Sequence, residues 1–353
     1  MTIALVTDTH MGARNNCTVF NEHFLKFFNE VFFPTLEKHN ITTVIHLGDL
    51  GEYKRTINTL ILDSWNKEVF KPLEKYQVWM LIGNHDLFYK HKNTISLQTS
   101  LELAERFGFN VVTERPLKLP MGSKVLDLVP WVSSGNYQEV EEFISNSTAD
   151  YLLCHMEFAG APLLPGILCS ESQIEPTLTS RYRKILSGHF HLRSTHGNVT
   201  YIGNPYEINW ADVNQLKGFT LFDPETGQLD YINNPHTLFF KASINTESDL
   251  ANFDISQCTK KHVKLFISSY IKTKDVENLV SRIDKEGVLS LVIQDTKVEL
   301  DSVDQLQSEF PDTLHYIKNF VHKLYDHQNI QLNKDRLIGK LEHIYSLAQT
   351  LEI

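Results

Sequence analysis

Cysteine is scarce in this sequence: Cys17, Cys154, Cys169 and Cys258 are the only four among 353 residues. No two of them form a Cys-x-x-Cys pair, which argues against a disulfide framework or a zinc finger and favours a reducing, cytoplasmic compartment. Positive charge is short as well, with 33 Lys plus Arg against 43 Asp plus Glu and a formal charge of -10. A generally basic nucleic-acid coat is therefore excluded, although a local basic groove or a bound cation could still invert the field. Long apolar runs are missing too. The most apolar long window, from Tyr151 to Cys169, is interrupted by His155, Glu157, Pro162 and Pro165, so no membrane span is expected. The start offers only Ile3 to Val6 as an apolar run with no basic stretch before it, and does not read as a signal peptide. There is neither an internal repeat nor a low-complexity tract.

What is present suits a folded chain of two domains with a third short element: hydrophobic residues make up 42% and charged residues 22%. Three short apolar runs lead the sequence. Ile3 to Val6 ends in Thr7-Asp8-Thr9-His10, Val44 to Leu47 ends in Gly48-Asp49, and Val78 to Ile82 ends in Gly83-Asn84-His85-Asp86. Helical stretches separate them, one with Phe20, Phe24, Phe27, Phe28 and Val31 on one face and another near Asn58 to Lys75. This alternation predicts βαβ units and parallel strands, with a site where the strands end. Further strands are expected over Lys124 to Val129, Asp150 to Glu157 and Arg183 to His191. Gly218 to Phe222 and Gln228 to Ile232 should form a hairpin that closes the sheets. Asn233-Asn234-Pro235 marks a boundary, followed by a compact unit of two strands (His262 to Ser268, Val288 to Gln294) around a helix over Asp275 to Lys285. The end is helical. The expected class is α/β (α+β), a four-layer α-β-β-α sandwich over 1–235, with a small β-α-β capping domain over 236–302 and a helical element over 303–353.

The polar strand ends carry the chemistry. Asp8, His10, Asp49, Asn84, His85, His155, His189 and His191 combine carboxylates, imidazoles and one amide oxygen. That mixed set suits borderline divalent cations such as Mn²⁺, Fe²⁺ or Zn²⁺ and lacks the all-oxygen character of a Ca²⁺ cage. It holds more groups than one tetrahedral ion takes, so two ions are expected, with Mn²⁺ the first choice. In Asp8-Thr9-His10 and His189-Phe190-His191 the outer residues are two apart, so on an extended chain both point the same way. Any single His at a strand end is more often a satisfied polar residue than a ligand. The ordered combination is what gives the signal its strength.

Those motifs, in that order, resemble the five motifs of the calcineurin-like metallophosphoesterase superfamily over residues 1 to about 233. The opening Thr7 to Gly12, the stretch Tyr201-Ile202-Gly203-Asn204-Pro205-Tyr206, the small second domain and the helical end resemble the SbcD-type DNA double-strand-break repair nucleases. In compact length the chain is similar to the phage recombination endonuclease subunits of that type. The resemblance implies that Asp8, His10, Asp49 and His191 hold one metal, and that Asp49 bridges to a second held with Asn84, His155 and His189. It implies a catalytic, non-ligand role for His85 at the scissile phosphate. It also implies DNA as substrate, an SbcC-type, SMC-like coiled-coil ATPase as partner through 303–353, and a homodimer formed by helices of the first domain around Phe20 to Phe33.

One departure concerns Glu52, followed by Tyr53, where relatives carry Asp or His. Its carboxylate could orient His85, or it could be a solvated loop residue. Asp86 reads equally as a turn residue. Arg14, Lys90 and Lys92 flank the motifs in loops and are candidate DNA contacts, against the ordinary reading of solvated charges. His46 and Cys154 alternate away from the site and should be buried. Buried packing is the expected use of Trp131 and Trp210. Two other functions remain open at this point: a phosphoprotein or small-molecule phosphoesterase on the same fold, and a non-catalytic DNA clamp or ATPase scaffold.

Overall fold

The computed structural model describes residues 1–52, 58–87, 104–164 and 166–295, with Lys340. Lys90, Lys92 and, apart from Lys340, the 303–353 element lie outside the described residues. The described residues up to Asp295 belong to one compact unit.

The three leading apolar runs form β1 (Ile3–Val6), β2 (Thr43–His46) and β3 (Gln77–Leu81), joined in parallel with β4 (Asn110–Val112). There follow β5 (Leu117–Met121), β6 (Lys124–Val129), β7 (Tyr151–His155), β8 (Pro162–Leu164) and β9 (Ile167–Leu168). The chain continues with β10 (Lys184–Gly188), β11 (Ser194–His196), β12 (Val199–Tyr201) and the hairpin β13 (Gly218–Asp223) and β14 (Gln228–Asn233). Two six-stranded sheets result, ordered β14-β13-β1-β2-β3-β4 and β11-β12-β10-β7-β6-β5.

Alternation along each strand divides the core. Ile3, Leu5, Ile45, Leu47 and Leu81 of the first sheet meet Leu126, Leu128, Tyr151, Leu153 and Leu186 of the second. Ala4, Val6, Val44, Val78 and Met80 point the other way, into a core with Phe24, Phe27, Phe28, Phe32, Trp65 and Phe70 from two helical stretches. On the second sheet, the crossover from β6 to parallel β7 runs through helix Tyr137–Ser145, which buries Val140 and Ile144. With one face of that sheet spent on the sandwich, the helix takes the other. The layers are α-β-β-α.

Both helical stretches beside the first sheet widen for a proline. Thr18–Phe27 and Phe33–Lys38 are joined by the π-helical turn Phe28–Phe32, and Thr59–Trp65 and Lys71–Leu73 by Asn66–Phe70. The wide turns close on Phe33 and Lys71, whose N–H groups donate to Phe28 and Asn66. The next residue is Pro34 or Pro72, which lacks an N–H and crowds the carbonyl four back. Asn21 fastens the two stretches, accepting from Trp65 Nε1 at 2.9 Å and donating to Ser64 Oγ at 3.0 Å. Phe20, Phe24, Phe27, Phe28, Val31 and Phe32 are all buried within their own chain. Those rings are spent on the sheet beneath them.

The small unit after the hairpin has three parallel strands, β15 (Phe239–Ile244), β16 (His262–Ile267) and β17 (Ser290–Asp295), with helix Thr273–Lys285 between the last two. Ile244, Val263, Leu265, Ile267, Leu279 and Ile283 give it a core of its own. Its seam with the sandwich is built by Phe239, which lies in the larger core, and by His262, stacked on Phe20 at 5.5 Å. Buried Glu207 accepts from the Leu238 and Phe239 N–H groups at 2.6 and 2.9 Å.

A buried ammonium braces the loop after β10. Lys217, 3% exposed, reaches Asp212 and Asn204 at 2.5 Å, Gln215 at 2.9 Å and the His191 carbonyl at 3.0 Å. Burial pulls the Lys217 ammonium below its ordinary range despite Asp212, while Lys217 holds Asp212 low although burial alone would raise it. Removing one member of a buried ion pair leaves the other uncompensated. Lys217→Met should therefore cost about 3–5 kcal/mol in urea unfolding, and adding Asp212→Asn, which removes the charge but keeps an acceptor for the Ile208 and Asn209 N–H groups, should recover most of that loss. No recovery in the double variant would show that the pair is not the source.

Candidate metal centre

All eight motif residues stand at or just beyond the C-terminal ends of parallel strands. Asp8 and His10 follow β1, Asp49 follows β2, Asn84 and His85 follow β3, His155 ends β7, and His189 and His191 follow β10. At four of them the backbone is left-handed, with φ of 51° at Asp8, 43° at His10, 57° at Asp49 and 85° at His189. Such residues persist only where the surroundings hold them. Two glycines show how tightly these do. A Cβ on Gly83 would overlap the Asp49 carboxylate, and one on Gly188 would overlap Thr7 Oγ1 and crowd His155 Nδ1.

Asp86 supplies the frame. Its buried carboxylate accepts from the N–H groups of Gly83 and Asp49 at 2.9 and 2.8 Å, and of Leu50 and Gly51 at 3.1 and 3.4 Å. It thereby ties the end of β3 to the end of β2 and aims Asp49. Burial and the neighbouring Asp49 charge push Asp86 up to about 7, against the pull of these N–H groups. His46 braces the same corner from below, with Nδ1 accepting from Gly48 N–H at 3.2 Å and Nε2 donating to Thr9 Oγ1 at 3.0 Å. It is buried and faces away from the site, as its alternation with Asp49 predicts, and burial lowers it to about 3. Cys154 is buried as well.

Ligand-type atoms converge in two groups on either side of Asp49. Asn84 Oδ1 lies 3.2 Å from His155 Nε2 and 2.9 Å from His189 Nδ1, and Asp49 Oδ2 lies 3.3 Å from His155 Nε2. On the other side His10 Nε2 faces His191 Nε2 at 3.1 Å and Asp49 Oδ2 at 4.0 Å. Asp8, His10 and His191 offer one ligand atom each within 4.8 Å of one another, as do Asp49, His155 and His189. Donors sharing an ion at bond lengths near 2.1 Å stand about 3.0–3.4 Å apart in octahedral or tetrahedral geometry. The His10–His191, His155–Asn84, His189–Asn84 and His155–Asp49 separations, 2.9–3.3 Å, fall in or beside that range, while His10–Asp49 at 4.0 Å is longer. Two imidazole Nε2 atoms facing each other make a poor hydrogen bond when both are unprotonated, but a good pair of donors to a common cation. The residues present fit divalent metal ions.

The charges lean the same way. Burial would raise Asp49, yet His155, His85 and His10 hold it well below the usual carboxylate range. Burial disfavours the His155 imidazolium, but Asp49 overrides it and raises the ring to about 9. His191 is pulled down to about 4 by burial and by His10.

His85 is placed beside this cluster. Its N–H donates to Asp49 Oδ1 at 2.8 Å, its Nδ1 lies 3.2 Å from the Glu52 carbonyl, and its ring is edge-on to His10 at 5.0 Å. Glu52 is not a solvated loop residue: its carboxylate reaches His10 Nδ1 at 2.8 Å and forms a third compact group with His10 and His85. Arg14 sits at an exposed left-handed turn, where Nε donates to the Ile208 carbonyl at 2.8 Å. Sequence reasoning missed Glu157, whose carboxylate lies 2.9 Å from His189 Nε2. Its only signal was a position two residues after His155. Trp131 does pack, as expected, and what it packs against is the rings of His155 and His189, at 5.9 and 5.1 Å.

Known proteins bear on this geometry. Exonuclease subunit 1 of Enterobacteria phage T4 is 29% identical over 286 residues, covering 78% of this chain and 81% of that protein. Among solved structures, an archaeal phosphodiesterase aligns with 66% of this chain and 100% of its own, at 14% identity and a TM-score of 0.33. Purple acid phosphatase PPD1 from yellow lupin seeds aligns with 65% of this chain and 52% of its own, at 11% identity and a TM-score of 0.36. The pattern of calcineurin-like phosphoesterases matches residues 1–217, the whole stretch that holds both sheets' site-bearing strand ends. The chain belongs to the calcineurin-like phosphoesterase family.

Proposed function

We propose that this protein is a metal-dependent DNA phosphodiesterase, an exonuclease or endonuclease of recombination and double-strand-break repair. The observation that carries the reading is the convergence of two ligand groups on one buried carboxylate, Asp49. Asp8, His10, Asp49 and His191 would hold one ion, and Asp49, Asn84, His155 and His189 the other, with Mn²⁺ the favoured metal. When bound, such a pair supplies Lewis-acid stabilisation of phosphoryl charge and a stronger water nucleophile. The likeness to a phage exonuclease subunit supports DNA as the substrate and a protein partner, here an SbcC-type, SMC-like ATPase engaged through 303–353. Residues 1–235 would then be the nuclease domain and 236–302 a cap over the DNA. Arg14, Lys90 and Lys92 are the DNA-contact candidates, of which Arg14 has the exposure to serve. A cytoplasmic homodimer completes the reading. No described helix is long and apolar enough to cross a membrane.

The chain's own groups have distinct roles. Asp49 neutralises positive charge on both sides of it and, by accepting the His85 N–H, fixes the backbone from which that imidazole projects. The Glu52 carbonyl orients the His85 ring. His85 would donate a hydrogen bond to the scissile phosphate and hand a proton to the departing oxygen, a role typically worth ~10²–10⁴ in rate. Asp86 keeps Asp49 and Asn84 in register by binding the turns that carry them.

Cleavage of linear duplex DNA should disappear in excess chelator and return with Mn²⁺, while Mg²⁺, which favours oxygen ligands and keeps its waters, restores it poorly. Full hydrolysis in chelator would contradict the metal reading. A chromogenic monoester cleaved in place of DNA would contradict the substrate. His85→Ser should keep its metal content while turnover falls ~10²–10⁴, whereas Asp49→Asn should lose metal as well. Metal depletion in the His85 variant would move that residue among the ligands.

A further inference from the structure

Three of the four imidazoles in the centre are held at the nitrogen that faces away from it, and not all by the same kind of group. His155 Nδ1 meets the Leu47 carbonyl at 2.7 Å, a neutral acceptor. His10 Nδ1 meets the Glu52 carboxylate at 2.8 Å, and His189 Nε2 meets the Glu157 carboxylate at 2.9 Å. Each of the two ligand groups therefore contains one imidazole backed by a glutamate. An acceptor there fixes the tautomer and the ring plane, and a charged acceptor also raises the basicity of the opposite nitrogen.

Both glutamates are built into position. The Glu157 N–H donates to Gln173 Oε1 at 3.0 Å, the Gln173 N–H donates to the Glu157 carbonyl at 3.2 Å, and Gln173 Nε2 donates to the Val132 carbonyl at 2.9 Å. That latch joins Glu157 to the segment carrying Trp131, which walls the other side of His189. The Glu52 N–H donates to the Met11 carbonyl at 3.0 Å, next to His10 in the chain. The two carboxylates are only 17% and 16% exposed.

We propose that Glu157 and Glu52 are positioning residues that tune the two ion positions separately, Glu157 through His189 and Glu52 through His10. This rests on the two-ion reading above. Removing such a partner typically weakens metal binding 10–100-fold. Because the two glutamates act on different imidazoles, each loss should fall on one ion only.

The test is a Mn²⁺ titration of the metal-free full-length protein, followed by calorimetry and by electron paramagnetic resonance. Wild type should take up two ions whose signals are coupled. In Glu157→Gln and in Glu52→Gln, one ion should bind as in wild type and the other about 10–100-fold more weakly. At limiting Mn²⁺ the coupled signal should give way to the resolved hyperfine pattern of an isolated ion. Melting of the metal-free variants separates positioning from scaffolding: their metal-free Tm should match wild type, with only the rise on adding Mn²⁺ reduced. Unchanged affinities and coupling in both variants would overturn the proposal while leaving the two-ion reading intact. So would a lowered metal-free Tm with normal affinity for both ions. A wild-type protein that binds fewer than two ions would overturn both.

Discussion

The Asp49 side chain is 3% exposed just beyond a strand end, in a setting where a bare negative charge is costly to bury. It must be matched by positive charge from both sides, and the surrounding structure is arranged to allow that. His155, His85 and His10 already hold it ionised. Much of the local architecture follows from keeping this one group aimed between two sets of imidazoles. Gly83 has no side chain because Asp49 occupies its place, and Gly188 has none because Thr7 and His155 do. Asp86 spends a buried carboxylate on backbone N–H groups to hold the turn that presents Asp49.

The same demand reaches outward into the sandwich. Ligand-type residues come from five strand ends in two sheets, so the sheets must keep a fixed offset. The core of Ile3, Leu5, Ile45 and Leu81 against Leu126, Leu153 and Leu186 supplies that rigidity. Where the second sheet delivers His189 and His191, apolar packing gives way to Lys217, which donates to the His191 carbonyl and is itself held by Asp212 and Asn204. The stretch Tyr201 to Tyr206 thus braces the centre from behind. Asn204 anchors Lys217, and Tyr206 stacks on Phe24 at 4.0 Å, linking the histidine loop to the first helical layer.

Much of this was legible in the sequence. Parallel strands buried on both faces read as unbroken apolar runs, and Ile3 to Val6, Val44 to Leu47 and Val78 to Ile82 announce themselves that way. The polar residue after each run marks where the chain leaves the sheet, so the eight motif residues could be placed together before any coordinate was known. What escaped lacks such a pattern. β15 follows Pro235 and alternates Phe, Lys and Ser in a half-exposed strand, too weak a signal to separate from a linker. Glu157 is one carboxylate with no motif around it, and its meaning depends on His189, a strand away. Lys217 gives no hint that it is buried, because nothing local to it predicts four acceptors. The aromatic face of the first helix was legible as apolar, but periodicity cannot say whether such a face meets its own sheet or a second copy.

The central claim is that Asp49 bridges two ions. Its most direct test is an anomalous difference map, collected at the manganese edge from crystals of the Mn²⁺-loaded protein. Two peaks should flank the Asp49 carboxylate about 3.5–4 Å apart, one beside Asp8, His10 and His191 and the other beside Asn84, His155 and His189. A single peak, or two peaks that do not share Asp49, would contradict the account.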